Sequence, residues 1–203
     1  PVATASDSVD IKIRVLDSWT LIPNGSLSGN QSSVKLTERN ILGFGHQISG
    51  EIENKFTPKV QAIFAQYSVS NIKNSFVRLD LDYSNEYNND SRRSLAINRP
   101  FYSVVARNAG GFQIENRRYT EFFPVADTLI GVPTKYEYVD YWYGHAFKIN
   151  GENTFDQKTT NLILAYSYNR KAYLLDPGIL FDETNFFATE KNSIGYIGIS
   201  KQR

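Results

Sequence analysis

The side chains that could carry chemistry in this chain are few and poorly grouped. Only two histidines occur, His46 and His145, and neither belongs to an H-E-x-x-H run or to a paired spacing that would hold a metal. A histidine beside apolar residues, as His46 is after Phe44, is a satisfied or interfacial side chain more often than a catalyst. Gly25-Ser26-Leu27-Ser28-Gly29 has the composition of a nucleophile elbow. Leu27, however, stands where the serine of G-x-S-x-G belongs, and no strand-to-helix context surrounds it. Asp80-Leu81-Asp82 puts two carboxylates on one face of a strand beside Arg78, which reads as a screened ion network in preference to a cation site. There is no glycine-rich phosphate loop and no cysteine, which excludes a thiol nucleophile, a thiolate metal site and any disulfide. The expectation is a protein without catalysis, metal or cofactor.

Composition moves the question from chemistry to surroundings. The 203 residues, 41% hydrophobic and 21% charged, suffice for one domain or part of one. With 22 basic against 21 acidic residues, the formal net charge of +1 calls for no nucleic acid. Methionine is absent even from position 1, so the chain is expected to begin either inside a longer gene product or after a processed segment, with the missing start as a place for a signal peptide. No apolar run approaches the roughly 20 residues of a spanning helix, so contact with a bilayer would be made by strands. Thirteen Tyr and thirteen Phe in a chain of mean hydropathy −0.39 fit a barrel with a wet lumen and aromatic girdles. They equally fit a soluble, tyrosine-rich β-sandwich that binds a glycan or a partner protein.

Strand-period segments dominate the chain and must position whatever the protein presents. Pro1 to Ser8 reads as a linker, and Val9 to Val15 alternates apolar with charged as a half-buried strand. Trp19 to Leu27 is a weaker strand, and Pro23 within it removes a ladder donor and argues for an edge. Glu38 to Gly45 is a turn: Gly43 and Gly45 are free to take positive φ, and Asn40 tolerates the left-handed region. Ile41, Leu42 and Phe44 make its tip apolar, either toward a membrane interface or folded back on a core. Val60 to Val69, Phe76 to Ser84, Arg92 to Phe101, Gly111 to Tyr119, Tyr138 to Ile149, a strand around Leu162 to Tyr168 and Ser193 to Ser200 follow. Long connections are expected at Glu121 to Glu137, with Pro124 and Pro133, and at Lys171 to Asn192, with a short helix over Phe181 to Glu190.

Recurring strands and connections that alternate between shorter and longer predict an all-β, antiparallel, up-and-down transmembrane β-barrel. Because a basic side chain at the lipid midplane costs about 2–4 kcal/mol, Glu51, Glu53, Arg78, Asp80, Asp82, Gln113 and Glu115 are expected to face a wet lumen. Arg93 and Arg99 share parity with Leu95 and Ile97 and must then lie near the interfaces.

The stretch Leu36-Thr37-Glu38-Arg39-Asn40-Ile41-Leu42-Gly43-Phe44-Gly45, after a Val-x-Ile-x-Ile-x-Val-x-Asp strand ending near Trp19, resembles a known junction. It looks like the passage from the last periplasmic POTRA domain into the barrel of the BamA and TamA type, also called bacterial surface antigen barrels. The E-x-N-x-L-G-x-G pattern carries the likeness, and Tyr67-Ser68-Val69-Ser70-Asn71 resembles a later strand end of the same barrels. The family's VRGF-like motif, a terminal aromatic and the second half of its sixteen-stranded barrel have no counterpart here. The resemblance implies residues 1–17 as linker and last POTRA-like strand, and 18–203 as the N-terminal part of the barrel, with about ten strands. It implies an outer-membrane location in a Gram-negative bacterium, a lipid bilayer as surroundings, and unfolded outer-membrane or secreted proteins as clients. Periplasmic or lipoprotein subunits would be accessories. The implied mechanism is non-covalent: a lateral gate strand with Trp19, Leu21, Pro23, Gly25 and Leu27, anchored by a periplasmic turn with Glu38, Asn40, Leu42, Gly43 and Gly45. A branch of the superfamily that secretes one dedicated partner or carries a fused enzyme domain is a further option.

Overall fold

Side chains that alternate with a period of two belong to an extended chain, and an extended chain must find a neighbour for its backbone groups. The computed structural model describes residues 2–3, 9–10, 14, 19–103, 105–125, 127–150, 160–174 and 188–201. Strands β1 (Val2–Ala3) and β2 (Val9–Asp10) pair with each other, Val2 opposite Asp10. The expected linker over Pro1 to Ser8 therefore contains a strand residue pair. Of the strand expected to run on to Val15, only Arg14 is described past Asp10, and it lies outside any strand.

Ten further strands form one antiparallel sheet in which each lies beside its neighbour in sequence. They are β3 (Leu21–Leu27), β4 (Gln31–Glu38), β5 (His46–Phe56), β6 (Lys59–Val69) and β7 (Arg78–Asn85). Then follow β8 (Ser91–Arg99), β9 (Asn108–Val125), β10 (Thr128–Asn150), β11 (Thr160–Tyr173) and β12 (Glu190–Lys201). The protein is thus all-β with up-and-down order, and nothing helical exceeds a single 3-10 turn among the described residues. β3 and β12 are the two edges, and the sheet is not closed.

Two differences from the sequence expectation have clear causes. Glu121 to Glu137 is not a connection, because β9 and β10 continue as a paired hairpin out to Val125 opposite Thr128. Beyond Arg118 the β9 arm has no β8 partner, and beyond Tyr136 the β10 arm leaves its ladder with β11. Pro124 and Pro133 fit there because a nitrogen facing an unpaired side removes no ladder bond. The last strand likewise begins earlier than expected, at Glu190, and most of the helix expected over Phe181 to Glu190, positions 181–187, lies outside the described residues.

Cross-strand register divides the sheet into an apolar and a polar face. Val34, Ile52, Ile63 and Asn85 follow one another across β4 to β7, as do Tyr67, Leu81, Leu95, Ile114 and Val139 across β6 to β10. Ile48, Ile63, Leu81, Ile97, Phe112, Ile114, Tyr141 and Leu164 on this face are 36–47% exposed. On the opposite face Ser49, Ser68, Ser84 and Ser94 are under a tenth exposed. The polar side of the sheet is the sheltered one.

Candidate functional site

Three features position polar or unpaired groups: the polar face, the β3 edge and the turns at the β4–β5 end of the sheet. All seven charged or polar side chains expected on one face share it. Glu51 lies opposite Lys35, and Asp82, Ser94 and Glu115 follow one another across β7 to β9. Asp80, Ala96, Gln113 and Asp140 form the next row, with Arg78 beside Asn98 and Glu53 beside Ser33.

Most charges on this face are matched at close range. Lys35 Nζ stands 3.2 Å from Glu51, and Arg78 donates twice to Asp80, at 2.6 and 2.8 Å. Arg92 Nε donates to Glu115 at 2.8 Å, and the Tyr136 hydroxyl donates to the other oxygen of Glu115 at 2.7 Å. Ser94 donates to Asp82 at 3.1 Å and Tyr87 to Glu53 at 3.2 Å. Cations also lie over rings: Lys171 over Tyr136 and Tyr173, Arg117 over Tyr119, Lys55 over Tyr87. Lys35, Ser49, Glu51, Gln66, Asp82 and Arg92 border an open groove of ≈ 320 Å³. Chemically this is a charge-balanced surface of guanidinium, carboxylate and phenol groups. Among the described residues no group of three or more His, Asp or Glu side chains could hold a metal ion.

The tyrosine and lysine half of that network was missed from sequence. Tyr136 falls in the stretch read as a connection because of its prolines, whereas the alternation of Tyr136, Tyr138 and Asp140 on one parity was the available signal. His46 accepts or donates a bond with the Tyr67 hydroxyl at 2.7 Å through Nδ1, and Phe44 lies 6.0 Å away, so it belongs to an aromatic cluster at the margin of the apolar face. His145 Nδ1 is 2.8 Å from Asn108 Oδ1, which also accepts from Tyr143.

β3 presents its outer side unpaired. Arg39 N–H bonds Thr20 C=O, so the even-numbered residues of β3 are hydrogen-bonded to β4 and the N–H groups of Leu21, Gly25 and Leu27 point to the open edge. Pro23 has the same outward parity and offers no donor, which interrupts the row. Trp19 precedes the ladder, 88% exposed, and is not a strand residue as expected; β3 begins at Leu21.

The Glu38 to Gly45 turn is built differently from the sequence reading. Gly43 and Gly45 have φ of 81° and 70°, but the left-handed non-glycine residue is Leu42, at 51°, while Asn40 has a negative φ of −147°. Asn40 acts through its side chain: Oδ1 accepts from Gly45 N–H at 2.6 Å, and Glu38 accepts from Asn40 N–H at 2.9 Å. Asn71 to Phe76 repeats the device, with Asn71 Oδ1 accepting from Phe76 N–H at 2.8 Å and Lys73 left-handed at 48°. Asn40→Ala and Asn71→Ala should each destabilise the fold by about 1 kcal/mol, the net worth of one such bond plus its orphaned donor. Urea titration of both variants checks this, and a loss at only one turn would show that the two are not equivalent.

Comparison with protein-family models, curated proteins and solved structures finds no match to this chain.

Proposed function

We propose that this sheet is part of the wall of a transmembrane β-barrel that helps other proteins insert into or cross an outer membrane, without covalent chemistry. One observation carries the membrane part: the apolar face stands open and the polar face is sheltered, the inverse of a half-buried sheet in water. Open apolar side chains over all ten strands of the sheet are stable against hydrocarbon and unstable against water. The dimensions agree. From His46 to Asn54 on the apolar face is about eight residue steps, roughly 27 Å of strand, which a tilt of about 40° reduces to roughly 20 Å, close to an apolar band of about 25 Å. Polar residues close this band at the same spacing on β9 and β10, where Asn108 faces His145 and Asn116 faces Glu137. Arg93 and Arg99 lie toward the two ends of β8, Arg93 over Tyr83 and Arg99 bonded to Ser75 and Asn108 carbonyls.

The insertion role rests on the β3 edge and on the junction that resembles BamA and TamA barrels. An edge whose donor row is broken by Pro23 pairs weakly with a fixed neighbour and can exchange it for an incoming strand. In hydrocarbon neither edge can stay unpaired, because each unsatisfied backbone group is costly there, so the membrane form supplies partners to β3 and β12. Glu38 to Gly45 then anchors the gate at the periplasmic interface, and Leu42 and Phe44, 86% and 71% exposed, sit in the headgroup boundary.

The absence of cysteine makes a labelling test clean. In lipid vesicles, Leu81→Cys and Ile114→Cys should resist a water-soluble maleimide, whereas Asp82→Cys and Gln113→Cys react at least about tenfold faster, as expected for one wet and one lipid-covered face. Equal labelling of both faces by a protein that stays soluble without detergent would overturn the membrane reading. Full function with β3 locked by a disulfide to its barrel neighbour would overturn the gate alone.

A further inference from the structure

Register sets like charges directly opposite one another at two places on the margin of the apolar face. Arg118 of β9 faces Lys135 of β10, and Arg170 of β11 faces Lys191 of β12. Like charges opposite each other destabilise a sheet, and a neighbouring carboxylate is the ordinary remedy. The polar face uses that remedy at Lys35–Glu51, Arg78–Asp80 and Arg92–Glu115. On the margin it is absent: none of these four cations has an ion-pair partner among the described residues. Glu137, the carboxylate of the same face nearby, accepts from Asn116 at 3.4 Å. Arg93 on β8 adds a further cation, its guanidinium held 5.8 Å from the centre of the Tyr83 ring.

All five cations lie on the same side of the apolar band, toward the β9–β10 turn. By register His46 is level with Phe112, four residues past Asn108, so the apolar band steps by about one residue per strand. Its end therefore falls at Arg170 on β11, which is level with Val139 and Ile114. Arg118 and Lys135 are two residues beyond Asn116 and Glu137, roughly 7 Å along the strand. A headgroup layer is about 5–7 Å deep on each side of the hydrocarbon, so the cations fall within it. We infer that Arg93, Arg118, Lys135, Arg170 and Lys191 form a collar that binds phosphate-bearing lipid headgroups of the adjacent leaflet. The inference rests on the reading of the apolar face as lipid-covered. The occupant is a lipid because the collar continues the apolar band on the same strands, so whatever covers Ile114, Val139 and Leu164 reaches the cations with its polar end. A phosphate between two opposed cations accepts from both, the arginine as a fork and the lysine as a point charge, and turns each repulsion into a bridge.

The test uses the chain inserted into phosphatidylcholine vesicles that carry a trace of spin-labelled phosphatidic acid or spin-labelled phosphatidylcholine. Phosphatidic acid should be held at the protein surface about fivefold more tightly than phosphatidylcholine, consistent with the attraction of a basic residue for an anionic surface. In the variant with Arg118→Gln, Lys135→Gln, Arg170→Gln and Lys191→Gln the two lipids should be held about equally. A second readout changes sign: the same variant should melt higher than the parent in zwitterionic micelles, where repulsion has been removed, and lower in anionic micelles, where bridges have been lost. Equal affinity of the parent for both lipids, or a preference that survives the four substitutions, overturns the collar. Suppression of the preference by millimolar glycerol phosphate overturns the lipid assignment in favour of a soluble anion. Protection of Leu81→Cys separates the two levels: if it is protected and the preference is missing, the collar alone fails; if it is labelled, the membrane reading and the collar fail together.

Discussion

Ile114→Arg is expected to lower the stability of the membrane-inserted protein by about 2–4 kcal/mol, while Gln113→Arg one position away changes it by less than about 1 kcal/mol. The two sites are adjacent on β9 and differ only in face. Ile114 lies between Leu95 and Val139 in the middle of the apolar band, 41% exposed, so under the proposed function its replacement carries a guanidinium into hydrocarbon. Gln113 lies opposite Asp140 on the polar face, where an added arginine gains a cross-strand carboxylate. Urea titration in phospholipid vesicles, followed by the fluorescence of Trp142 on the polar face, measures both. A larger loss for Gln113→Arg than for Ile114→Arg would invert the assignment of the faces and remove the basis of the proposed function.

Replacing Glu115 tests whether the polar network holds the sheet together or merely lines it. Its side chain is 10% exposed, and its two oxygens take Arg92 Nε and the Tyr136 hydroxyl. Glu115→Leu strands both donors and should cost about 2 kcal/mol; the figure is below that for a fully buried pair because the Arg92 side chain, 43% exposed, keeps part of its hydration. Glu115→Gln retains an acceptor for Tyr136 and should cost about half as much. A double-mutant cycle with Arg92→Leu gives the pair its own value, since removing both partners leaves no orphan. If Glu115→Leu proves as stable as the parent, the network contributes nothing net and Glu115 matters only for the character of the polar face.

The alternation in β5 and β7 was legible from single residues. Ile48 and Ile52 against Ser49, Glu51 and Glu53, and Leu79, Leu81 and Tyr83 against Arg78, Asp80 and Asp82, separate by parity alone. Pro23 correctly signalled an edge, since proline cannot donate and the outward parity of β3 has no strand to receive from it. The same rule misled at Pro124 and Pro133. There the prolines mark strand residues with one neighbour each, and one neighbour is a property of the sheet, not of the residue. The turn at Glu38 to Gly45 was legible in part, since Gly43 and Gly45 do take positive φ while Asn40 does not. Which non-glycine residue takes the left-handed conformation depends on side-chain bonds that close the loop, Asn40 to Gly45 and Asn71 to Phe76, and in the first loop that residue is Leu42 where Asn40 was expected.

By itself the sequence determined that the chain is extended, that it turns at glycine, asparagine and proline, and which side chains of one strand share a face. Those follow from covalent geometry, because successive side chains of a strand point to opposite sides whatever lies beside it. Only the tertiary structure decided which strand lies beside which and in what register. It placed Glu115 between Arg92 and Tyr136, left the outer side of β3 unpaired, and set Arg118 against Lys135 and Arg170 against Lys191. Neighbours across a sheet depend on the length and geometry of every turn between them, and a shift of one residue in any turn would move a whole row to the other face.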